Sequence, residues 1–105
     1  MLIGIFRSRL RPEPRAAYEA TAERMDALVR TMPGYLWHKT FRAEDGERVT
    51  LFGFESLAQL EAWRDQPEHR EAQRRGRAEF YAEYSLHVCT PLREAYLKAP
   101  ATPRS

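Results

Sequence analysis

A hairpin in the middle of this chain constrains its fold more than any other feature. From Tyr35 to Arg42, Tyr35, Trp37, Lys39 and Phe41 alternate with Leu36, His38, Thr40 and Arg42, the two-residue period of a strand. Glu44-Asp45-Gly46-Glu47 follows, and its Asp-Gly pair is a hairpin turn signal because glycine accepts positive φ without a Cβ clash. Val49-Thr50-Leu51-Phe52-Gly53-Phe54 reads as the returning strand.

The rest of the chain reads as elements arranged around that hairpin. Leu2-Ile3-Gly4-Ile5-Phe6 is an almost unbroken apolar run, expected as a first strand buried on both faces. Arg11-Pro12-Glu13-Pro14 interrupts any ladder, and Pro14 suits the first turn of a helix, where a missing N–H costs nothing. From Tyr18, the positions Ala22, Met25, Leu28, Val29 and Met32 keep helical spacing, with Glu19, Glu23, Arg24 and Arg30 left for solvent. Met32-Pro33-Gly34 stops this helix. After the hairpin, Ser56-Leu57-Ala58-Gln59 matches a capping box, and Leu57, Leu60 and Trp63 continue a helical stripe. Pro67 breaks the stripe; a second helical piece is expected from Glu68 to about Tyr81, weakened in the middle by Gly76. Tyr84, Leu86 and Val88 then alternate with Ser85, His87 and Cys89 as a last strand, and Pro91 belongs at an edge or a bulge.

The order is strand, helix, two strands, helix, strand. With right-handed crossovers it predicts an α+β fold of ferredoxin-like βαββαβ type: a four-stranded antiparallel sheet with its helices on one face. The first and third strands are then central, and they are the two most continuously apolar. Helices on one face leave the other uncovered, so a second copy of the chain is expected there, giving a homodimer joined through the sheet face. At 105 residues the chain fits one domain, read as residues 1–97, with 98–105, which contain Pro100 and Pro103, as a disordered tail.

Charge and cysteine content exclude several partners. Seventeen basic and fifteen acidic residues leave a formal charge of +2, too even a balance for nucleic acid or an anionic membrane as the main partner. Cys89 is the single cysteine, so no disulfide forms within one chain, and a reducing, cytoplasmic setting is the simplest expectation. The run Leu2 to Phe6 is too short for a signal peptide core, and nothing approaches a membrane span.

Taken together, the elements resemble the antibiotic biosynthesis monooxygenase domain, a family of small dimeric α/β-barrel proteins. The matching features are Pro33-Gly34-Tyr35, Asp45-Gly46, Phe54-Glu55-Ser56, Ala62-Trp63-Arg64, Pro67-Glu68-His69-Arg70-Glu71-Ala72-Gln73 and Gly76-Arg77 before Tyr81. The similarity runs from about Leu2 to Tyr96. It implies one of three roles: a cofactor-independent quinone-forming oxygenase acting on a small or polycyclic aromatic, a haem-degrading enzyme, or a non-catalytic ligand-binding or stress-response barrel. The resemblance places Trp63 as a pocket wall and Gln59 where the quinone-forming branch carries an amide. The haem-degrading branch has its iron ligand ten positions after that tryptophan, where this chain has Gln73, and its first-strand asparagine finds no counterpart among Phe6, Arg7 and Ser8. The quinone-forming branch is therefore the leading expectation, with no cofactor and an aromatic ligand.

Within that expectation His69 is the candidate general base and Gln59 the candidate orienting group. Trp63, Trp37, Phe52 and Tyr81 are the candidate substrate-binding residues, as large rings able to line an apolar cavity. Each also has a plainer reading: Gln59 as the capping-box partner, His69 as a helix-start residue, and the rings as core. His38, His69 and His87 show no His-x-His or His-x3-His pairing, so no metal site is expected. Cys89 reads as a small buried residue. Arg70, Arg74 and Arg77 form a solvated helix face.

Overall fold

The computed structural model describes residues 1–101. The strands are β1 (Leu2–Leu10), β2 (Tyr35–Arg42), β3 (Arg48–Phe54) and β4 (Tyr81–Cys89), and the helices are α1 (Arg15–Val29), α2 (Leu57–Arg64) and α3 (Pro67–Arg75). A π-helical segment, Gly76–Phe80, joins α3 to β4. The strands form one antiparallel sheet in the order β2-β3-β1-β4, so β1 and β3 are central, as the ferredoxin-like reading requires.

Three boundaries differ from the sequence reading. β1 continues past Phe6 to Leu10 because its charged half is matched: Arg7 binds Glu47 bidentately at 3.0 and 2.9 Å, and Arg9 reaches Asp45 at 2.8 Å. Pro14 caps α1 from outside in an extended conformation rather than entering its first turn. The helical piece after Pro67 ends at Phe80, and β4 starts at Tyr81, three residues before the alternation becomes regular. Lys98 to Ala101 carry no helix or strand, and the rest of the expected tail lies outside the described residues.

Both edge strands contain a bulge near their first residue. In β2, Tyr35 pairs with Phe54 but Trp37 pairs with Gly53, which leaves Leu36 as an extra residue. In β4, Tyr81 pairs with Leu10 and Glu83 with Arg9, which leaves Ala82 extra. A bulge flips the face on which the preceding side chain falls. Tyr35 and His38 therefore share one face of the sheet, as do Tyr81 and Tyr84.

The helices cover that shared face. Val29, Phe54, Leu60 and Trp63 form the buried cluster, with Leu2, Met25, Leu28, Met32, Tyr35 and Phe52 packed on it. Phe54 is completely buried, and full burial of a phenyl ring contributes about 1.5–3 kcal/mol. Two side-chain caps start the later helices: Ser56 Oγ accepts from the Gln59 N–H, and Gln66 Oε1 accepts from the His69 N–H at 2.8 Å. The β1 glycine Gly4 has the Phe52 ring lying across it, with Cζ only 1.9 Å from where a Cβ would stand. The opposite sheet face has no helix, and Ile3, Ile5, Val49 and Leu51 alternate onto it along the two central strands. Trp37 and Phe41 on β2 are exposed.

Candidate functional site

A cavity of about 520 Å³ lies between the sheet and the helices, within the range of small-molecule sites. Its floor is laid by alternate residues of all four strands, among them Phe6 and Ser8, Thr50 and Phe52, and Leu86 and Val88. Its roof comes from Tyr18 and Met25 of α1, Leu60 and Trp63 of α2, His69 and Gln73 of α3, and Phe80. Most of the lining surface is apolar, but hydroxyls, imidazoles, arginines and the carboxylates of Asp26 and Glu61 also reach it.

His69 is the most constrained of those groups. Its ring stacks on the Trp63 indole, with centroids 3.8 Å apart and planes 10° from parallel. Its Nδ1 lies 2.8 Å from the Trp63 carbonyl oxygen. That carbonyl can only accept. It is closer than the Gln73 amide nitrogen, which stands 3.2 Å from the same Nδ1 but donates to Arg64, so Nδ1 carries the proton and Nε2 the lone pair. Burial pushes the imidazole pKa below its ordinary 6.5, and the bond to Trp63 opposes the shift only in part. A neutral imidazole with its proton on Nδ1 keeps a lone pair on Nε2, the form in which an imidazole can accept a proton. The Gln73 amide beside it donates to the Arg64 carbonyl at 2.9 Å, so its orientation is also set.

A second imidazole joins the cavity with no signal in the sequence. The Tyr35 hydroxyl sits 2.7 Å from His38 Nδ1, and His38 Nε2 lies 3.2 Å from Asp26 Oδ1 on α1. His38 and Asp26 both line the cavity. Strict alternation along β2 puts Tyr35 and His38 on opposite faces; the Leu36 bulge brings them together, and nothing in the local sequence announces it.

Of the residues expected to form the site, His69, Trp63, Phe52 and Tyr81 line this one cavity. Gln59 and Trp37 lie elsewhere. The Gln59 side chain folds over Gly34 and accepts from the Ser56 hydroxyl at 2.9 Å, so it closes the α2 cap outside the cavity. The amide inside the cavity is Gln73. Trp37 falls on the opposite sheet face, its indole set across Gly53, because the bulge separates it from the inward-facing Tyr35. Tyr81 is held protonated, its phenol pKa raised chiefly by burial. Cys89, expected to be buried, is exposed. Among the described residues no three His, Cys, Asp or Glu side chains gather as a metal site, and no helix is long and apolar enough to cross a membrane.

A ferredoxin-like sheet with a largely apolar chamber under its helices defines this chain as an α+β protein built round an internal cavity. The model of the antibiotic biosynthesis monooxygenase family matches residues 1–75, and the chain belongs to that family. The uncharacterized protein YqjZ of Bacillus subtilis is 33% identical over 81 residues, covering 77% of this chain and 71% of that protein. Among solved structures, Rv0793 from Mycobacterium tuberculosis superposes with a TM-score of 0.79 at 24% identity, covering 90% of this chain and 98% of that one. SnoaB, a cofactor-independent oxygenase from Streptomyces nogalater, superposes with a TM-score of 0.74 at 18% identity, covering 89% and 94%. Likeness at these identities establishes the shared fold.

Proposed function

We propose that the chain is a cofactor-independent monooxygenase that oxidises a small or polycyclic aromatic, and that it works as a homodimer joined through its open sheet face. The observation that carries this reading is His69: a neutral, tautomer-fixed imidazole stacked on Trp63 inside an aromatic-lined cavity. The family membership and the likeness to SnoaB support it. The single cysteine fits a reducing, cytoplasmic setting.

The chemistry needs a substrate with an acidic ring methylene, such as a hydroxylated anthrone. His69 Nε2 takes a proton from that carbon, leaving a delocalised carbanion. The carbanion passes one electron to dioxygen, and the resulting radical pair joins as a C–O bond. The protonated His69 returns its proton to the peroxide, and the hydroperoxide then loses water, its second C–H bond supplying the electron pair of the new carbonyl. In balance, one ring methylene and one dioxygen give one ring carbonyl and one water; the substrate supplies every electron, and His69 ends neutral as it began. Trp63 holds the imidazole in place, and the apolar lining keeps bulk water from the carbanion.

Oxygen consumption with a hydroxyanthrone is the direct test. Uptake is expected, together with formation of the quinone, and a His69→Ala variant should slow it by about 10²–10⁴-fold, the usual contribution of a positioned base. Equal rates in the two proteins would remove His69 from the chemistry. One observation favours a non-catalytic binding role: the bond of the His69 ring to the Trp63 carbonyl also pins the α2–α3 junction, a sufficient structural reason for that residue. Retention of an aromatic ligand unchanged in air would support that second reading.

A further inference from the structure

The end of the cavity away from His69 is built differently. Five rings cluster there: Phe6 to Tyr81 at 5.4 Å, Phe6 to Tyr84 at 5.5 Å, Tyr81 to Tyr84 at 5.8 Å, and Tyr18 to Phe80 at 5.7 Å between centroids. Into this cluster comes Arg48, the first residue of β3, whose Cζ stands 5.5 Å from the Tyr18 ring centroid. In register it faces Ser8, which is buried and also lines the cavity.

Arg48 and its cross-strand neighbour Arg42 are the strand arginines without a carboxylate partner among the described residues, and of the two only Arg48 lines the cavity. Arg7 and Arg9 are each matched by a carboxylate. Arg48 is only partly exposed, lines the cavity, and makes no ion pair among the described residues. A half-buried guanidinium without an anion has only the Tyr18 ring to offset its desolvation cost. The two other cavity-lining arginines are placed otherwise: Arg64 is largely exposed and bound by Asp65 at 2.9 Å, and Arg77 is exposed. A cation on an aromatic face, bordered by phenol and serine hydroxyls, is a site for an anionic oxygen.

Along β3, Arg48 and Phe52 are four residues apart, about 13 Å of strand. Phe52 packs against the cluster that contains Trp63, and Trp63 carries His69. The two polar ends thus sit at opposite ends of one apolar chamber, a separation that fused rings span.

We propose that Arg48, with the Tyr18 ring and the hydroxyls of Tyr81 and Ser8, anchors an anionic oxygen group, a carboxylate or an ionised phenol, on the aromatic ligand at its end remote from His69. This rests on the reading of the cavity as an aromatic site and narrows its ligands to acidic aromatics. It also fixes orientation, since an anchored acid presents the far ring to the base.

Binding of 2-naphthoate and 2-naphthamide, measured by calorimetry, tests this without turnover. The wild-type protein is expected to bind the naphthoate about tenfold or more tightly, the value of a charge-assisted hydrogen bond. Arg48→Gln should abolish that preference and leave naphthamide affinity unchanged, which also reports that the variant is folded; Arg48→Lys, a point charge without the fork, should keep part of it. In labelled wild-type protein the Arg48 Nε–H resonance should move with naphthoate and not with naphthamide, an observation that needs no variant. Equal affinities in wild type, no binding of either probe, or a preference that persists in Arg48→Gln and vanishes in Arg77→Gln would each overturn the anchor. Absence of oxygen uptake alongside an intact naphthoate preference would sink the oxygenase reading and leave the anchor standing.

Discussion

At the scale of the residue, His69 shows how one side chain acquires a chemical property from its neighbours. The Trp63 carbonyl fixes which nitrogen holds the proton, and burial disfavours the charged ring. Its folded pKa lies below the 6.5 of a free imidazole, so an unfolded chain binds more protons in the window between the two values. Stability contributed by neutral His69 is fully present above 6.5 and is lost as pH falls through 6.5 toward the folded value. Thermal denaturation across that window should show stability falling with acid in the wild type and a shallower fall in His69→Gln. Oxygen uptake should keep its rate to a pH below 6.5, since the base stays neutral there. The place of His69, Trp63, Phe52 and Tyr81 around one cavity was legible in the sequence, because rings and an imidazole at those positions have few other places to go in this topology. Gln59 was not: capping box and catalytic amide look the same in sequence, and only the packing over Gly34 separates them.

At the scale of the element, caps and bulges decide what the site contains. The hairpin, the strand order and the Ser56 cap follow from alternation, the Asp-Gly turn and the capping pattern. The two bulges do not, because an extra residue on an edge strand leaves the composition of that strand unchanged. Trp37, offered for its ring alone, stands away from the cavity because the Leu36 bulge puts it on the other sheet face from Tyr35. The π-helical segment was equally silent; Arg11, just beyond β1, donates to the carbonyls of Tyr81 and Ala78 and holds it. The two caps make a useful contrast. Ser56→Ala and Gln66→Ala should each cost about 1 kcal/mol in urea denaturation. Ser56→Ala should leave ligand oxidation unchanged, because α2 is anchored by Leu60 and Trp63 in the core. Gln66→Ala should also slow it several-fold, because the freed turn is the one that carries His69. Identical rates for the two variants would show that the Gln66 cap has no part in positioning His69.

At the scale of the whole molecule, the open sheet face is the feature to explain. Ile3, Ile5, Val49 and Leu51 lie on the two central strands and are half-buried, with exposed Trp37 and Phe41 beside them. A contiguous apolar sheet face of this kind is covered by a partner in most soluble proteins that have one. Light scattering should give twice the chain's mass, and Leu51→Glu, at the centre of the face between Ile5 and Lys39, should halve it. A monomer at micromolar concentration in the wild type would rule the face out as an interface. The open apolar face itself was legible from the apolar central strands, because helices on one side cannot cover both.

The bare backbone at Gly4 reaches further than its place in the strand suggests. A methyl group there would force the Phe52 ring to rise by about 1.5 Å to regain ordinary contact, and the ring can only rise into the chamber. Gly4→Ala should therefore shrink the space and bias the protein toward fewer-ringed guests, with three-ring probes losing more affinity than one-ring probes in the same titration. The headroom of the chamber is set from under its floor. On the proposed reading, a change in the size of ligand accepted arises at a position that lies under the Phe52 ring rather than in the lining, and a comparison confined to the lining residues would miss it.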